Sequence, residues 1–179
     1  MYRDKSLVPS ETVRLAALGL LTEGAKSYAE LASVVRHMSA RLAGPSLDLL
    51  GPSIELLKVE ELTAPARDDL LAITAKGQEE LKRLLRASLR GPIGEVNKLI
   101  IALKLRFLSV LDREEQLLQV EMLAEIFEQE LVRLKDLRAQ LAERKDLLLD
   151  WVDHDIAQVG ARIAWFQVLL QRLEQEDSN

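Results

Sequence analysis

The sequence contains no cysteine and only two histidines in 179 residues, and aromatic residues make up 4% of it. The absence of thiols excludes disulfide bridges and thiolate zinc sites. Many leucines beside few aromatic residues favour packed helices over sandwiches and barrels, which use β-branched and aromatic side chains. The composition therefore predicts a mainly α protein.

The motifs of common enzyme classes are also missing, since we find no phosphate-binding loop, nucleophile elbow or dinucleotide fingerprint. Four side chains have the chemistry of metal ligands, namely Asp150, Asp153, His154 and Asp155. No second histidine and no cysteine accompany them, so a solvated acidic face is the preferred interpretation. We expect no enzyme activity, no cofactor and no metal.

No segment has the length or composition of a membrane anchor or a signal peptide. The longest apolar stretch, from Leu99 to Leu111, is interrupted by Lys104 and Arg106 and is too short to cross a bilayer. The charged residues near the start are followed by no apolar region. A cytoplasmic protein without a membrane partner is predicted.

Charge is distributed unevenly along the chain, whose net charge is −5. Residues 1–90 contain 13 Lys and Arg against 12 Asp and Glu, whereas residues 91–179 contain 11 against 17. A nearly neutral first half and an acidic second half are compatible with a head that faces DNA and a solvated tail.

Glycine and proline are concentrated at residues 90–94, between two strongly periodic regions. We therefore predict two domains, residues 1–90 and residues 91–179. In the first, a helix runs from Ser10 to Leu21. Ser27 and Glu30 have the spacing of a capping box, which opens a second helix ending near Leu42.

A third helix and a hairpin follow in the predicted first domain. Ser46 caps the helix, and one buried stripe follows it at helical spacing, formed by Leu47, Leu50, Ile54 and Leu57. Short apolar runs at residues 62–64 and 70–73 flank a loop over residues 65–69 and predict two strands. Thr74 caps a fourth helix that ends near Leu89. This order is typical of a winged helix-turn-helix, a fold that also serves as a protein-interaction module.

The second half is predicted to be helical throughout. The helix from Gly94 to Val110 is apolar around most of its circumference and must be enclosed. Two later seams repeat at steps of 3 and 4 residues on either side of a turn near residues 146–150, which predicts coiled-coil packing. Extra apolar residues beside the first seam indicate a second copy, hence a homodimer. The predicted interface consists of Leu103, Phe107, Leu117, Val120, Phe127, Leu131, Leu134, Ile163, Trp165, Phe166 and Leu170.

Five motifs in order resemble the PadR family of bacterial transcription regulators. They lie at residues 17–21, 27–31, 46–62 and 71–81 and, in the tail, at residues 104–108 with Ala164 and Trp165, where they look like a virulence-activator-type C-terminal domain. The chain departs from the family pattern at Ser27 and Glu61, where the family has glycine, and at Gly51, where it has tyrosine. The resemblance implies a homodimeric repressor on a palindromic operator. It also implies a hydrophobic small-molecule effector as a partner, since some members sense phenolic compounds.

The predicted contacts with double-stranded DNA combine the resemblance with general chemistry. The wing places Arg67 near the minor groove, and the N-terminal turn of helix three faces the major groove. The full set is Tyr28, Arg36, Arg41, Ser46, Leu47, Asp48, Ser53 and Arg67. Helix three carries four carboxylates against one lysine, so the alternative is a winged-helix interaction module that has lost DNA binding.

Overall fold

The structure is a computed structural model, and it describes residues 7, 9–42, 53–89, 91–141 and 147–176. The chain forms two compact units. The first contains residues 1–88 and 94–111, and the second contains residues 89–93 and 112–179. The first unit therefore extends beyond the predicted boundary at residue 90, because the helix that follows this boundary packs on the front half.

The first unit contains five helices and a two-stranded sheet among its described residues. In chain order these are α1 (Pro9–Thr22), α2 (Tyr28–Leu42), α3 (Ser53–Val59), β1 (Thr63–Pro65), β2 (Leu71–Ile73), α4 (Ala75–Arg86) and α5 (Glu95–Arg106). This is the predicted winged-helix order, with β1 and β2 as the wing. The predicted start of helix three at Ser46 lies outside the described residues.

Two helix starts have the local chemistry that the sequence predicts. The Ser27 amide donates to the Glu30 carboxylate at 2.7 Å, and the Glu30 amide donates to the Ser27 hydroxyl at 3.2 Å. These reciprocal bonds form the capping box that opens α2. At α4, the Gly77 amide donates to the Thr74 hydroxyl at 3.0 Å. All three bonds satisfy amides that a helix start leaves without a partner.

The antiparallel sheet pairs Thr63 with Ile73 and Pro65 with Leu71. A further bridge, which the sequence does not predict, joins the segment before α2 to the wing. The Lys26 amide donates to the Leu71 carbonyl at 3.1 Å, and the Leu71 amide donates to the Lys26 carbonyl at 2.8 Å. The start of α2 is thereby held beside β2.

The core of the first unit surrounds α1, which contacts α2, α3, α4 and α5. Gly19 allows α1 and the segment after α5 to approach closely, since a Cβ atom at this position would lie 2.3 Å from the Phe107 ring. Leu103 and Phe107 are 0% and 3% exposed. Contrary to the prediction of a dimer contact, these two side chains belong to the core of their own unit.

The second unit is built mainly from α6 (Arg113–Gln140) and α7 (Leu147–Glu176). The two helices are antiparallel, because Arg113 contacts the backbone of Leu173 at one end and Arg138 contacts Asp153 at the other. Asp112 caps α6 by accepting from the Glu115 amide at 2.9 Å. Residues 147–150, which the sequence assigned to the turn, are helical, because α7 begins at Leu147.

The two predicted seams face each other inside the second unit. The Phe127 and Phe166 rings have their centroids 5.5 Å apart. Most of the predicted dimer contacts are therefore buried within the protomer, a correction that applies to Val120, Phe127, Leu134, Ile163 and Phe166. Leu117, Leu131 and Leu170 are half-buried, and Trp165 is half-exposed.

Helices long and apolar enough to cross a bilayer are absent from the described part of the chain.

Candidate nucleic-acid interface

Helix α3 presents one side to the core and the other to solvent. Ile54 and Leu57 are each 1% exposed, and the helix packs on α1. The outward side carries Glu55, Leu56 and Val59, and Val59 is 78% exposed. We call these three residues the outward face of α3.

The carboxylates that follow α3 are neutralised by tertiary contacts. Arg14 of α1 lies 2.8 Å from Glu60 and 3.1 Å from Glu80 of α4. Arg83 contacts Glu80 at 2.7 Å and Glu11 at 2.8 Å. The hydrogen bond from Arg83 and that from Arg14 keep the pKa of Glu80 below its usual range, against the opposing effect of burial. The network ties the end of α3 to α1 and α4 and lowers the negative charge that the helix sequence suggests.

Glu61 ends the α3 segment in a left-handed conformation, with φ of 60°. Its carbonyl accepts from the Thr74 hydroxyl at 2.8 Å, and the next amide, of Leu62, returns to the Leu57 carbonyl at 2.9 Å. Glycine adopts this conformation without steric cost, which accounts for the glycine in the family pattern at this position. The side chain of Glu61 lies 3.6 Å from Lys76.

The wing tip is a 3₁₀ turn over Arg67–Asp69 between the two strands. Arg67 is exposed, and it has no ion-pair partner within the described part of the chain. Asp68 and Asp69 follow it with φ of 57° and 59°. Aspartate tolerates this left-handed region better than most residues. The turn therefore displays a cation at its start, beside two carboxylates.

The predicted DNA contacts on α2 lie along one helix. Tyr28, its first residue, is 40% exposed, and the bridge at Lys26 holds it beside the wing. Arg36 and Arg41 are exposed further along and have no ion-pair partner among the residues that the structure describes. At 1.5 Å per residue they begin about 12 and about 20 Å along the axis from Tyr28.

The remaining predicted DNA contacts precede or begin α3 in the sequence. Ser46, Leu47 and Asp48 lie outside the described residues, and for Ser53 only the backbone is described, as the first residue of α3. Glu55 and Val59 were not part of the interface predicted from the sequence. Their position opposite the buried stripe of Ile54 and Leu57 is the sequence feature that indicates an outward orientation.

The acidic cluster in α7 has partners of its own. Asp153 is paired with Arg138 of α6, and the His154 ring lies 2.7 Å from the Gln158 side-chain nitrogen. Within the described ranges, no group of three or more histidine or acidic side chains is arranged to hold a metal ion.

Comparison with protein families identifies the family of this chain. Residues 2–170 match the family model described as "Putative AphA-like transcriptional regulator". The chain belongs to the AphA-like transcriptional regulators. This membership confirms the prediction, made from the sequence motifs, that the chain is a regulator of the PadR type. DNA is the partner that a transcription regulator implies.

Solved structures similar to this AphA-like chain include PadR from Bacillus subtilis. One matches with a TM-score of 0.40 and 19% identity, covering 94% of this chain and 98% of the other. Another, PadR in complex with p-coumaric acid, matches with a TM-score of 0.38 and 20% identity over 91% of this chain and 99% of the other. A search of curated proteins found no match.

Proposed function

We propose that this AphA-like protein is a homodimeric repressor that acts in the cytoplasm and binds a palindromic operator. The observation that carries the proposal is the arrangement of the head. The buried residues of α3 fix which side of this helix faces outward, and the hairpin beside it ends in exposed Arg67. In winged helices the helix enters the major groove while the wing contacts the flanking backbone or minor groove.

Phosphate binding falls mainly to cations outside the outward face of α3. Arg36, Arg41 and Arg67 are exposed and have no ion-pair partner in the described ranges, whereas Arg14 and Arg83 are held in internal pairs. Three such cations in each protomer give about six phosphate contacts in a dimer. Their role is to orient the heads, and affinity follows from the release of counterions.

A second copy is the proposed occupant of an exposed face of α7. Trp151 and Trp165 are 64% and 50% exposed. They are 14 residues apart, nearly four helical turns, so they share one side of the helix about 21 Å apart. Large aromatic side chains in water commonly anchor interfaces. Two copies joined here would hold two heads at a fixed separation, as a palindrome requires.

Selection of duplexes from a randomised library by the full-length protein, followed by fluorescence anisotropy, tests the proposal. We expect a palindromic consensus and a loss of affinity of about a thousandfold between 50 and 200 mM salt, the dependence typical of about six phosphate contacts. Absence of enrichment, or an affinity that does not change with salt, would contradict it.

The second candidate function is a protein-interaction module. The observation that favours it is the outward face of α3, where two apolar side chains lie beside a carboxylate without a cation. Exposed apolar surface of this kind also marks protein contacts. A dimer that binds no duplex at low salt, while Leu56→Ala weakens its association with a co-purified protein, would support this candidate.

A hydrophobic small-molecule effector remains a prediction of the family resemblance. Thermal-shift screening against aromatic acids and cationic amphiphiles tests it, because a ligand that binds only the folded state raises its stability. A stabilisation that disappears in Trp165→Ala would locate the ligand near α7, and no stabilisation across the screen would remove the prediction.

A further inference from the structure

The outward face of α3 has a definite chemistry. At 100° per residue, Glu55, Val59 and Leu56 cover an arc of about 100°, and Ile54 and Leu57 lie on the opposite side. The exposed fractions agree with this geometry, since Val59 near the centre of the arc is 78% exposed and Leu56 at its edge is 43% exposed. Lys58 lies outside the arc, on the flank.

This chemistry limits what the face can contact on a duplex. It has no cation, so it does not attract phosphate oxygens. Guanine offers two acceptors in the major groove and would face the Glu55 carboxylate unfavourably. Cytosine offers an amino donor, which a carboxylate can accept, and thymine offers a methyl group, which apolar side chains can cover.

The residues suited to phosphate contacts and those suited to base contacts lie on different elements of the head, which supports a base-reading role for this face. Arg36 and Arg41 of α2 and Arg67 of the wing have no ion-pair partner among the described residues, and they can position the protein on the backbone. The carboxylates of Glu60 and Glu61 are paired with Arg14 and Lys76, which reduces their repulsion of the duplex. The outward face of α3 therefore offers the groove two apolar side chains and one carboxylate, with Lys58 on its flank.

We propose that Leu56 and Val59 read thymine methyl groups in each half-site, and that Glu55 accepts a hydrogen bond from a cytosine amino group beside them. This inference rests on the proposed DNA-binding function and specifies its base readout. The bases recognised are thymine and cytosine on the major-groove side, and guanine opposite Glu55 is disfavoured.

Replacement of thymine by uracil tests the inference, because it removes only the methyl group. On the duplex selected by the full-length protein, we expect each critical thymine-to-uracil change in a half-site to weaken binding about fourfold, the effect of one buried methyl group. The same change outside the half-sites is the control and leaves the affinity unaltered.

Protein variants identify the residues that cover the methyl groups. In Val59→Ala or Leu56→Ala, the uracil penalty at the contacted thymine disappears, because the side chain that covered the methyl group is gone. Val59→Thr keeps the shape but replaces one methyl group by a hydroxyl, so it distinguishes lost apolar contact from altered packing. Circular dichroism checks that these exposed substitutions leave the fold intact.

The outcomes separate this inference from the function on which it rests. Salt-dependent binding to a selected duplex with no uracil penalty in any half-site position would overturn the readout and leave the proposed function standing. Failure to bind any duplex would overturn both, and a protein partner would then be the occupant of the face.

Discussion

Gly77 lies against the backbone carbonyl of Leu62, and a Cβ atom built on this glycine would be 2.1 Å from that oxygen. The contact joins the first turn of α4 to the residue that precedes β1, just where the Leu62 carbonyl also accepts from the Thr74 amide at 3.1 Å. A side chain at position 77 would therefore push the wing away from α4.

We expect Gly77→Ala to lower the free energy of unfolding by about 1–3 kcal/mol, because the obstacle is backbone and cannot rotate away. Urea denaturation followed by circular dichroism measures the change. Gly160→Ala, in the interior of α7 with nothing within 4 Å of the added Cβ, is the control and should raise stability by about 0.5–1 kcal/mol. Equal midpoints for Gly77→Ala and the wild type would refute the packing.

Glu61 predicts a stabilising substitution. Its φ of 60° costs an L-residue about 1–2 kcal/mol. Glycine removes this strain, but part of the gain is lost because glycine has more conformational freedom in the unfolded chain. Glu61→Gly should therefore raise the free energy of unfolding by up to about 1 kcal/mol in the same urea assay. Glu61→Ala keeps the strained backbone and should show no gain. A destabilised glycine variant would mean that the exposed pair with Lys76 matters more than the strain.

We expect the buried Lys104 of α5 to make the stability of the protein depend on pH above 7. Its side chain is 0% exposed, and Nζ donates to the carbonyls of Leu85 and Ala87 at the end of α4. Desolvation lowers its pKa from 10.5 to about 7. Between these values the unfolded chain holds the proton that the folded one has lost, so stability rises with pH from about 7 to about 10 and levels off below 7.

Urea midpoints at pH 7, 8 and 9 measure this slope, which is at most about 1.4 kcal/mol per pH unit. Lys104→Met removes the titrating group and should flatten the profile relative to the wild type. Lys98→Met, on an exposed lysine paired with Glu95, is the matched control and should keep the slope. The prediction is lost if Lys104→Met and Lys98→Met give parallel profiles.

We expect substitutions of the neighbouring residues Phe166 and Trp165 to affect different properties, the stability of the fold and the affinity of the dimer. Phe166 is 1% exposed against Phe127, so Phe166→Ala should lower the free energy of unfolding by about 3–5 kcal/mol. Trp165 is half-exposed, and Trp165→Ala should keep the fold but weaken the proposed dimer about thirtyfold or more, as for an interface anchor. Sedimentation velocity across concentrations measures the dimer affinity, with Gln167→Ala as the exposed control. An unchanged dimer in Trp165→Ala would show that Trp165 is not part of the interface.

Arg67 predicts a change in the salt dependence of DNA binding. Arg67→Ala should reduce the slope of log affinity against log salt by about one for each protomer, uniformly across sequences, if the wing contacts a phosphate. Arg133→Ala, on an exposed arginine paired with Glu130 of α6, is the control and should leave the slope unchanged. Equal slopes for the two variants would contradict a contact at the wing tip.

Local patterns in the sequence predicted the parts of the fold that depend on neighbours in the chain. The capping box at Ser27, the cap at Thr74 and the seams through Phe127 and Phe166 all depend on side chains a few residues apart, and all are present. The bridge from Lys26 to β2 was not predicted, because Lys26 and Leu71 are distant in sequence and a single bridged residue leaves no periodic pattern.

The candidate interface was predicted less completely than the fold. An exposed Arg67 in the wing followed from the hairpin pattern, but the pairing of Glu60 with Arg14, 46 residues away, did not, so the charge of α3 looked more negative than the folded head makes it. The sequence likewise shows which residues of α6 and α7 are apolar without showing whether the same chain or another copy covers them.

The sequence by itself determined the helices, the wing and the family, because hydrogen bonds between near neighbours and periodic burial act locally. Only the tertiary structure decided that α5 belongs with the head, that Leu103 and Phe107 are core residues, and that Val59 and Trp165 face outward. Burial of a given apolar side chain depends on which distant surface reaches it, and a periodic pattern does not contain that information.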